Sequence, residues 1–291
     1  MTTLISVQIN GEANVANNLD KVEALVKQAC EKADKNNDSQ HKLVVLPECF
    51  SVFGISGLRM LEHAETQGSG YIQTKLSELA KQLQCYIVAG TTPIIDADIT
   101  RDPYKYYAAS LAYSPSGKCI ARYNKIHLFD VEVEDETKSY KESRYTLAGE
   151  HLSLFKTPFA EVAQSICYDL RFPDMFSAYC RYTLTQKAPD IIVVPSAFTH
   201  KTGSAHWHAL LKARSIENQC YIVAPNQVGT HADKRQTFGN SCIYSPWGEC
   251  LDIIEHGEGF AMATYNKVVV ESVRRKMPVQ SHKQRSYKVK R

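Results

Sequence analysis

The sequence predicts an α/β protein with two similar β-sheets in one domain and helices on the outside. Apolar strand-like runs alternate along the chain with segments of helical periodicity. One hexamer, Gln-Cys-Tyr-Ile-Val-Ala, occurs at residues 84–89 and again at 219–224, and a Tyr-Ser-Pro-x-Gly-x-Cys motif occurs at 113–119 and 244–250. The repeats keep the same order, so they indicate two halves built to one plan.

The first half is predicted to alternate between strands and helices. Its elements are a strand at 3–9, a helix at 17–33, a loop at 36–39, a strand at 43–46, a helix at 72–83, and strands at 86–89, 108–113 and 118–123. The strand at 43–46 is apolar throughout, which is typical of a strand buried on both faces. It ends at Pro47 and Glu48, so a carboxylate follows a buried strand.

The second half is predicted to repeat this order. Its elements are a strand at 161–166, a helix that opens at Pro173, a strand at 190–196, a helix at 204–217 with Ser204 as its N-cap, and a strand at 219–224. Cys167 then lies on an elbow between a strand and a helix. At such an elbow the N-terminal N–H groups of the helix favour negative charge, and hence the thiolate. Taken alone, the position is more typical of an inert buried thiol.

Length and composition are those of an ordinary globular protein, with 291 residues, 44% of them hydrophobic and 22% charged. The start reads as a strand without a basic region and a long apolar run, so we expect no signal peptide. No apolar run approaches the ~20 residues that span a bilayer, and we expect no membrane association. The nine cysteines are scattered without a C-x-x-C pair, which favours reduced thiols in a cytoplasmic protein.

We expect neither a metal nor another cofactor. His206 and His208 are two positions apart on a predicted helix, so they do not share a face and cannot readily hold one ion. We interpret them as packing or capping residues.

The basic balance of the chain resides in its C-terminal segment. The net charge is +3, yet residues 273–291 contain eight Lys and Arg and no acidic residue, which leaves −5 for the rest. We therefore predict a single domain over residues 1–272 and a basic tail over 273–291. Some basic tails bind nucleic acid, but this one also contains Val273, Met277 and Tyr287. We expect it to pack against a neighbouring subunit, with no nucleic-acid partner.

Three charged residues near predicted strand ends are further candidates. Glu48 has apolar neighbours such as Phe50, and burial among them would make it a better general base. Lys125 follows a strand and precedes an apolar, aromatic stretch, so we expect a partly enclosed ammonium. Near Cys167 it would stabilise the thiolate and later an oxyanion. Glu142 looks like an ordinary charged loop residue on its own.

Three segments together resemble the signatures of one family. Leu-Pro-Glu at 46–48, Tyr-Asn-Lys-Ile-His-Leu at 123–128 and Ile-Cys-Tyr-Asp-Leu-Arg-Phe-Pro at 166–173 look like the signature segments of the nitrilase, or carbon–nitrogen hydrolase, superfamily. They occur in the family's order and at similar spacing, and the resemblance covers nearly the whole chain. Three motifs in order are specific, whereas a single Glu, Lys or Cys would carry no information.

The resemblance implies a four-layer α-β-β-α sandwich that assembles into a homodimer or a higher homo-oligomer. It implies a triad in which Glu48 is the general base, Lys125 stabilises the oxyanion and Cys167 is the nucleophile. Glu142 falls on the family's second glutamate, which positions the lysine and the substrate. An amide carbon is a poor electrophile, so an activated thiolate is a suitable nucleophile. The predicted reaction passes through a cysteine thioester, with Lys125 and the Tyr168 backbone N–H as oxyanion donors.

The substrate class is narrowed by the same resemblance. Residues 205–221, 246–248 and 278–279 most resemble the Nit1-like amidases that act on deaminated glutathione. Residues 125–130 are shared with the Nit2-like ω-amidases, which hydrolyse α-ketoglutaramate and similar short amides. Both kinds of small-molecule substrate carry a carboxylate near the amide, and Arg171 could pair with it in bidentate fashion. A buried ion pair that braces the elbow is an equally good interpretation of Arg171.

We expect Tyr168, Arg171, Phe50 and Phe198 to contact the substrate. Nitrile hydrolysis is less favoured than amide hydrolysis, because the motifs are closer to the amidase branches. A non-catalytic scaffold protein that kept the fold is least favoured, because the three catalytic candidates are intact. Selective alkylation of Cys167 by iodoacetamide at neutral pH would separate an enzyme from a scaffold.

Overall fold

The computed structural model describes residues 1–37, 40–96, 104–133, 139–182 and 188–284. The strands are β1 (Thr2–Gln8), β2 (His41–Val45), β3 (Glu65–Thr66), β4 (Tyr86–Ile95), β5 (Tyr107–Tyr113), β6 (Cys119–Asn124), β7 (Asp130–Glu132), β8 (Ser139–Lys141), β9 (Leu154–Lys156), β10 (Glu161–Gln164), β11 (Ile191–Val193), β12 (Tyr221–Ala224), β13 (Val228–Thr230), β14 (Gln236–Phe238), β15 (Ser241–Tyr244), β16 (Cys250–Ile254) and β17 (Gly259–Tyr265). The helices are α1 (Val15–Asn37), α2 (Gly57–Met60), α3 (Tyr71–Gln82), α4 (Pro173–Tyr182), α5 (His200–Asn218), α6 (Lys267–Lys276) and α7 (Val279–His282). None of these described helices has both the length and the apolar composition that a membrane span requires.

Two large sheets share one plan. The first has the strand order β17-β1-β2-β4-β5-β6, with β3 attached to β4, and the second has the order β16-β15-β12-β11-β10-β9. Each contains three consecutive parallel strands, which are β1, β2 and β4 in one and β10, β11 and β12 in the other. Each continues on one side with an antiparallel hairpin and ends on the other side with an antiparallel strand. The prediction of two similar sheets is confirmed.

Alternate side chains of the central strands divide between two apolar layers. In β2, Leu43 and Val45 pack between the two sheets, whereas Val44 packs with side chains of α1 and α3. In β11, Ile191 packs between the sheets and Ile192 packs with side chains of α4 and α5. Both faces of each strand are covered, which explains the continuous apolar runs at residues 43–45 and 191–193. The chain is a four-layer α-β-β-α sandwich.

The repeated motifs adopt the same conformation in both halves. Gln84 and Gln219 follow α3 and α5 with left-handed φ angles of 49° and 52°. The cysteine after each of them donates its N–H back to the preceding helix. The two Ser-Pro-x-Gly turns close the β5–β6 and β15–β16 hairpins, with φ angles of 80° at Gly117 and 87° at Gly248. The sequence repeat therefore encodes helix ends and hairpin turns as well as strands.

Two helix boundaries differ from the prediction. Helix α1 continues to Asn37, two residues into the segment 36–39 for which the sequence predicts a loop, and residues 38–39 lie outside the described residues. Helix α5 starts four residues early because Thr199, and not Ser204, is its N-cap. The Thr199 hydroxyl accepts a hydrogen bond from the N–H three residues later at 3.3 Å.

The described part of the C-terminal segment packs against its own chain. Helix α6 crosses the predicted boundary and buries Val273, so the body of the fold includes this helix. Further on, Gln280 Nε2 donates to the carbonyl oxygen of Glu217 on α5 at 3.0 Å. The predicted tail residue Tyr287 lies in the stretch 285–291, which is outside the described residues.

A glycine lets the end of β2 lie tightly against β4. A Cβ atom at Gly90 would lie 1.8 Å from the carbonyl oxygen of Pro47, far inside van der Waals contact. The Leu46 N–H donates to the Val88 carbonyl at 2.9 Å just before this point. Gly90 therefore fixes the path by which the chain leaves the sheet towards Glu48.

We expect Gly90→Ala to lower the free energy of unfolding by about 1 to 3 kcal/mol, the usual cost of overpacking. The reason is that the Pro47 backbone must move to make room for the methyl group. Chemical denaturation measures the change. Gly257→Ala is a suitable control, because open space surrounds Gly257 and its φ of 71° adds only backbone strain. Equal stability of Gly90→Ala and the wild type would contradict the packing argument.

Candidate active site

The Lys125 ammonium lies at the centre of the candidate site and bridges two carboxylates. Lys125 directly follows β6, and its backbone N–H donates to the Ala108 carbonyl of β5 at 3.0 Å. Its Nζ donates to Glu48 Oε1 and to Glu142 Oε2, each at 2.8 Å, and the side chain is 2% exposed. Burial alone would lower the pKa of Lys125, but the charges of Glu142 and Glu48 outweigh burial and raise the pKa well above its usual value. The lysine is therefore a cation.

Glu48 lies where the chain leaves β2, and its side chain is buried. Its carbonyl oxygen accepts a hydrogen bond from Gln227 Nε2 at 2.9 Å. The next N–H, of Cys49, donates to Thr91 Oγ1 at 2.7 Å, and Cys49 has a left-handed φ of 55°. The chain therefore turns sharply after Glu48, and hydrogen bonds on both sides of the turn hold the glutamate in place.

Glu142 opens a 3-10 turn, Glu142–Arg144, directly after β8. Its Oε2 accepts hydrogen bonds from Lys125 Nζ and from the Phe129 N–H, the latter at 2.7 Å. Burial raises the pKa of the Glu142 carboxyl group, and the Lys125 ammonium opposes that rise. Glu142 looks like an ordinary charged residue in the sequence. The pairing of β7 with β8 brings it close to Lys125.

Cys167 occupies the predicted elbow between β10 and α4. It opens the 3-10 turn Cys167–Arg171 with a φ of 44°, which is uncommon for a residue other than glycine. Its N–H donates to the Pro195 carbonyl at 2.8 Å, so the end of β11 supports this backbone. The thiol is within hydrogen-bonding reach of the Glu48 carboxylate and the Ala197 backbone N–H.

The Cys167 thiol is protonated at rest. Burial raises the pKa of Cys167 well above its usual value, and the negative charge of Glu48 raises it further, while Lys125 acts in the opposite direction. The expectation that the helix N-terminus at the elbow favours the thiolate stays a prediction, because the raised pKa of Cys167 reflects burial and the charge of Glu48. Deprotonation requires a base, and Glu48 is the carboxylate in contact with the thiol.

Asp169 connects the lysine segment to the cysteine segment. Its carboxylate accepts hydrogen bonds from Tyr123 Oη at 2.7 Å, from the His127 N–H at 3.0 Å and from the Ile166 N–H at 2.9 Å. Tyr123 and His127 flank the lysine, and Ile166 precedes the cysteine. One fully buried carboxylate thus fixes the two segments relative to each other.

The thiol and both ion pairs open onto a cavity of about 380 Å³, a volume typical of small-molecule sites. Tyr168, Arg171 and Phe198, three of the predicted substrate contacts, line it. The Arg171 guanidinium lies 6.0 Å from the Tyr168 ring centroid and 5.3 Å from that of Phe198. Within the described residues Arg171 makes no ion pair. The elbow is braced by Arg214, which donates to the Leu170 carbonyl from Nε and Nη2 at 3.1 and 2.8 Å.

Phe50 does not line the cavity, so its predicted contact with the substrate is corrected. Its side chain is fully buried in the apolar layer between the first sheet and helices α1 and α3. The left-handed turn at Cys49 is the reason, because it breaks the alternation of an extended strand and directs Phe50 away from Glu48. Cys49 itself lines the cavity, whereas an extended segment would place it on the opposite side of the chain.

Several cavity residues carry no signal in the sequence. Arg235 belongs to the polar segment between β13 and β14, whose composition indicates only a turn. Tertiary structure brings it to the cavity together with five aromatic side chains. These are Phe53, Tyr106, Phe129, Tyr140 and Tyr145.

The two histidines of α5 make separate contacts. His208 lies 3.0 Å from Tyr244 Oη through Nδ1 and 3.1 Å from Asn240 Oδ1 through Nε2, whereas His206 Nδ1 lies 3.3 Å from Arg171 Nη1. In the part of the chain that the structure describes, no group of three or more His, Cys, Asp or Glu side chains could hold a metal ion.

Comparison with known proteins adds four findings. A family model described as carbon-nitrogen hydrolase matches residues 3–275. The chain is 34% identical over 276 residues to the deaminated glutathione amidase of Yersinia enterocolitica, covering 95% of this chain and 91% of that protein. It is 31% identical over 277 residues to omega-amidase NIT2 of Danio rerio, covering 95% and 92%. Nit3 of Saccharomyces cerevisiae, described as a member of branch 10 of the nitrilase superfamily, has a similar structure, with a TM-score of 0.82, 27% identity and coverage of 98% of this chain and 97% of that chain.

Cys250 is a second thiol with a marked pKa shift. It is exposed at the start of β16, and a hydrogen bond with the Cys242 thiol lowers the pKa of Cys250 to about 7. Alkylating reagents attack the thiolate. Near neutral pH we therefore expect a large share of Cys250 to be the reactive thiolate, whereas burial keeps the Cys167 thiol protonated. We therefore expect iodoacetamide to react with Cys250 first, in contrast to the selective alkylation of Cys167 that the sequence predicts.

At neutral pH we expect iodoacetamide to modify Cys250 before Cys167, with rates that differ at least about tenfold because the two thiolate populations differ. Mass spectrometry of peptides taken over time measures both rates. In a Cys250→Ser variant the fast phase should disappear while the slow labelling of Cys167 persists. Labelling of Cys167 ahead of Cys250 in the wild type would contradict a protonated resting thiol.

Proposed function

Because the chain belongs to the carbon–nitrogen hydrolase family, we propose that it is a thiol-dependent amidase of small carboxylate-bearing amides. The products are a carboxylic acid and either ammonia or an amine. Cys167 acts as the nucleophile, Glu48 as the general base and Lys125 as the oxyanion stabiliser, and Glu142 positions the lysine. One observation carries the proposal: the buried Glu48–Lys125–Glu142 ion-pair chain, with the Cys167 thiol in reach of Glu48.

In the first half-reaction Glu48 accepts the proton of the Cys167 thiol while the sulfur forms a bond to the amide carbon. The carbonyl oxygen becomes an oxyanion. Lys125 uses two of its three N–H donors for the glutamates, so the third is left for this oxyanion. The Tyr168 backbone N–H is the second proposed donor. Glu48 then gives its proton to the amide nitrogen, the carbon–nitrogen bond breaks, and a thioester remains on Cys167.

In the second half-reaction water replaces the departed amine. Glu48 accepts a proton from the water as its oxygen attacks the thioester carbon, and a second oxyanion forms at the same donors. Breakdown of this intermediate releases the carboxylic acid and returns the sulfur to Cys167, which recovers a proton from Glu48. The proposed cycle uses only side chains of the site, the Tyr168 backbone N–H and water.

The charges of the cavity support an anionic substrate. Among the described residues, two carboxylates line the cavity, and both are bound to Lys125. Four further cationic side chains line it as well, namely Lys141, Arg144, Arg171 and Arg235. This excess of positive charge suits a substrate with one or more carboxylates. We propose an amide of the deaminated glutathione type, in accord with the similarity to the Yersinia enterocolitica protein.

An ω-amidase that acts on α-ketoglutaramate-type amides is the second candidate, and the 31% identity to omega-amidase NIT2 of Danio rerio favours it. The two candidates differ in the leaving group, which is a peptide-like amine in the first and ammonia in the second. Nitrile hydrolysis is a weaker proposal, and a scaffold without activity is the weakest, because the buried charges and the thiol are assembled as a reactive group.

We expect Cys167→Ala to lower amide hydrolysis by at least about 10³-fold, because the covalent intermediate cannot form. Release of ammonia or amine from a panel of small carboxylate-bearing amides measures this loss. Lys125→Ala should cost at least about 10²-fold in the same assay, the usual loss for an oxyanion donor. Circular dichroism shows whether each variant keeps its fold.

Cys250→Ser is the matched control, because it removes a reactive thiol that lies outside the cavity. It should retain the activity of the wild type. Turnover by Cys167→Ala within tenfold of the wild type would overturn the assignment of the nucleophile.

We also propose that the protein is cytoplasmic and forms a homodimer or a larger homo-oligomer, with its C-terminal segment at the interface. All nine cysteines are free thiols, which suits a reducing compartment. Helix α6 and the residue after it expose Val268, Val269 and Met277, and exposed apolar side chains that cluster suit an interface.

Truncation after residue 280 is expected to reduce the number of subunits in the oligomer, because it removes the end of the C-terminal segment. Light scattering measures the mass, and a mobility-shift assay measures nucleic-acid binding. If the segment acted only through its basic charge, its binding to nucleic acid would weaken steeply as the salt concentration rises. An unchanged oligomer together with salt-sensitive nucleic-acid binding by the full chain would show that the segment has a different role.

A further inference from the structure

We propose that Arg235 binds a carboxylate on the leaving group of the substrate, so that the site selects amides whose nitrogen carries an acidic substituent. This inference rests on the proposed amidase function. In this assignment the acyl half of the amide lies near Arg171 and the leaving group lies near Arg235.

Contacts with two aromatic rings hold the Arg235 guanidinium at the cavity wall. Its Cζ lies 5.0 Å from the ring centroid of Phe53 and 5.1 Å from that of Tyr140. Arginine stacks well on aromatic rings because its guanidinium is planar and weakly hydrated. The backbone is fixed too, because the His231 N–H donates to the Arg235 carbonyl at 2.9 Å and the His231 ring is buried against Phe53.

Donors of this guanidinium are left without a partner. Nε is buried and has no hydrogen-bond partner among the described residues. Arg235 forms an ion pair with Asp233 through one hydrogen bond, from Nη2 at 3.1 Å, and the other oxygen of Asp233 accepts the Arg235 backbone N–H. A buried charged donor without a partner is costly. An incoming carboxylate, with two oxygens in one plane, is the group that fits such a donor edge.

Arg171, a second arginine of the cavity, belongs to the wall of the nucleophile. Arg171 ends the same 3-10 turn that Cys167 opens. It packs on Phe198, and the residue before that phenylalanine, Ala197, directs its N–H to the thiol. In the proposed reaction the acyl half of the amide becomes bonded to Cys167. A carboxylate on the acyl half therefore lies nearest to Arg171.

Arg235 belongs to the wall of the general base. Phe53, one of its two ring partners, lies in the segment that follows Glu48, and Tyr140, the other, comes two residues before Glu142. In the proposed reaction Glu48 gives its proton to the departing nitrogen. The leaving group therefore lies against this wall, where Arg235 supplies a positive charge for a carboxylate attached to the amine.

Three amides with the same acyl half and different amines test the assignment. They are α-ketoglutaramate, its N-methyl derivative, and the corresponding amide with glycine, which alone carries a carboxylate on the leaving group. We expect Arg235→Gln to lower kcat/KM for the glycine amide about 10-fold to 100-fold, the worth of a charge-assisted hydrogen bond, mainly through KM. The values for the other two amides should change less than about threefold.

Lys234→Gln is the matched control. Lys234 precedes Arg235 in the same turn, is exposed and does not line the cavity, so it removes one positive charge without a contact to substrate. Its kcat/KM for all three amides should equal that of the wild type. An equal loss on all three amides in Arg235→Gln would show a structural role, and no loss on the glycine amide would show that the arginine does not contact it. Either result overturns the proposal.

Binding to the Cys167→Ala variant separates this inference from the proposed function. Calorimetry should show tighter binding of the glycine amide than of the N-methyl amide, and Arg235→Gln should abolish that difference. If the wild type hydrolyses none of the three amides while the Arg235-dependent difference persists, the amidase proposal fails and the assignment of the arginine stands. If the two amides bind equally well when Arg235 is present, the assignment fails.

Discussion

The buried Lys125 ammonium constrains the rest of the structure. A cation without access to water is stable only where opposite charges and hydrogen bonds replace its hydration. Glu48 and Glu142 supply them from positions 77 and 17 residues away along the chain. The end of β2, the end of β6 and the turn after β8 must therefore meet at one place. Breaking a buried ion pair typically costs about 3 to 5 kcal/mol, so the ion pairs of Lys125 with Glu48 and Glu142 keep the three segments together.

The same cluster explains how a protonated thiol can serve as a nucleophile. Loss of the Cys167 proton to solvent would add a second uncompensated negative charge to a buried group of atoms, and this is why burial and Glu48 raise its pKa. Transfer of that proton to Glu48 moves one negative charge from oxygen to sulfur and leaves the total charge of the cluster unchanged. Burial and the charge of Glu48 therefore oppose loss of the proton to solvent without preventing the internal transfer.

The sequence predicts the features that are encoded locally. The internal repeat predicts both sheets, and Lys125 and Cys167 can be found because each comes soon after a strand and lies in a specific motif. Phe50 was misplaced because its direction depends on one backbone angle, the left-handed φ of Cys49, which no periodicity reveals. Arg235 was missed for a different reason. Its hairpin reaches the cavity only through tertiary contacts, and a polar turn looks the same whether or not it meets a site.

The charges of the site are arranged in two zones that together orient a substrate. The inner zone, formed by the thiol, Lys125 and its two carboxylates, carries one net negative charge and repels a carboxylate. The outer zone contains Arg171 and Arg235 on separate walls and attracts one. In the arrangement that we propose, a substrate with carboxylates at both ends is held at its ends and kept from inserting an end into the inner zone. Its uncharged amide is the part that can approach the thiol, so one electrostatic pattern serves both recognition and the alignment of the reacting bond.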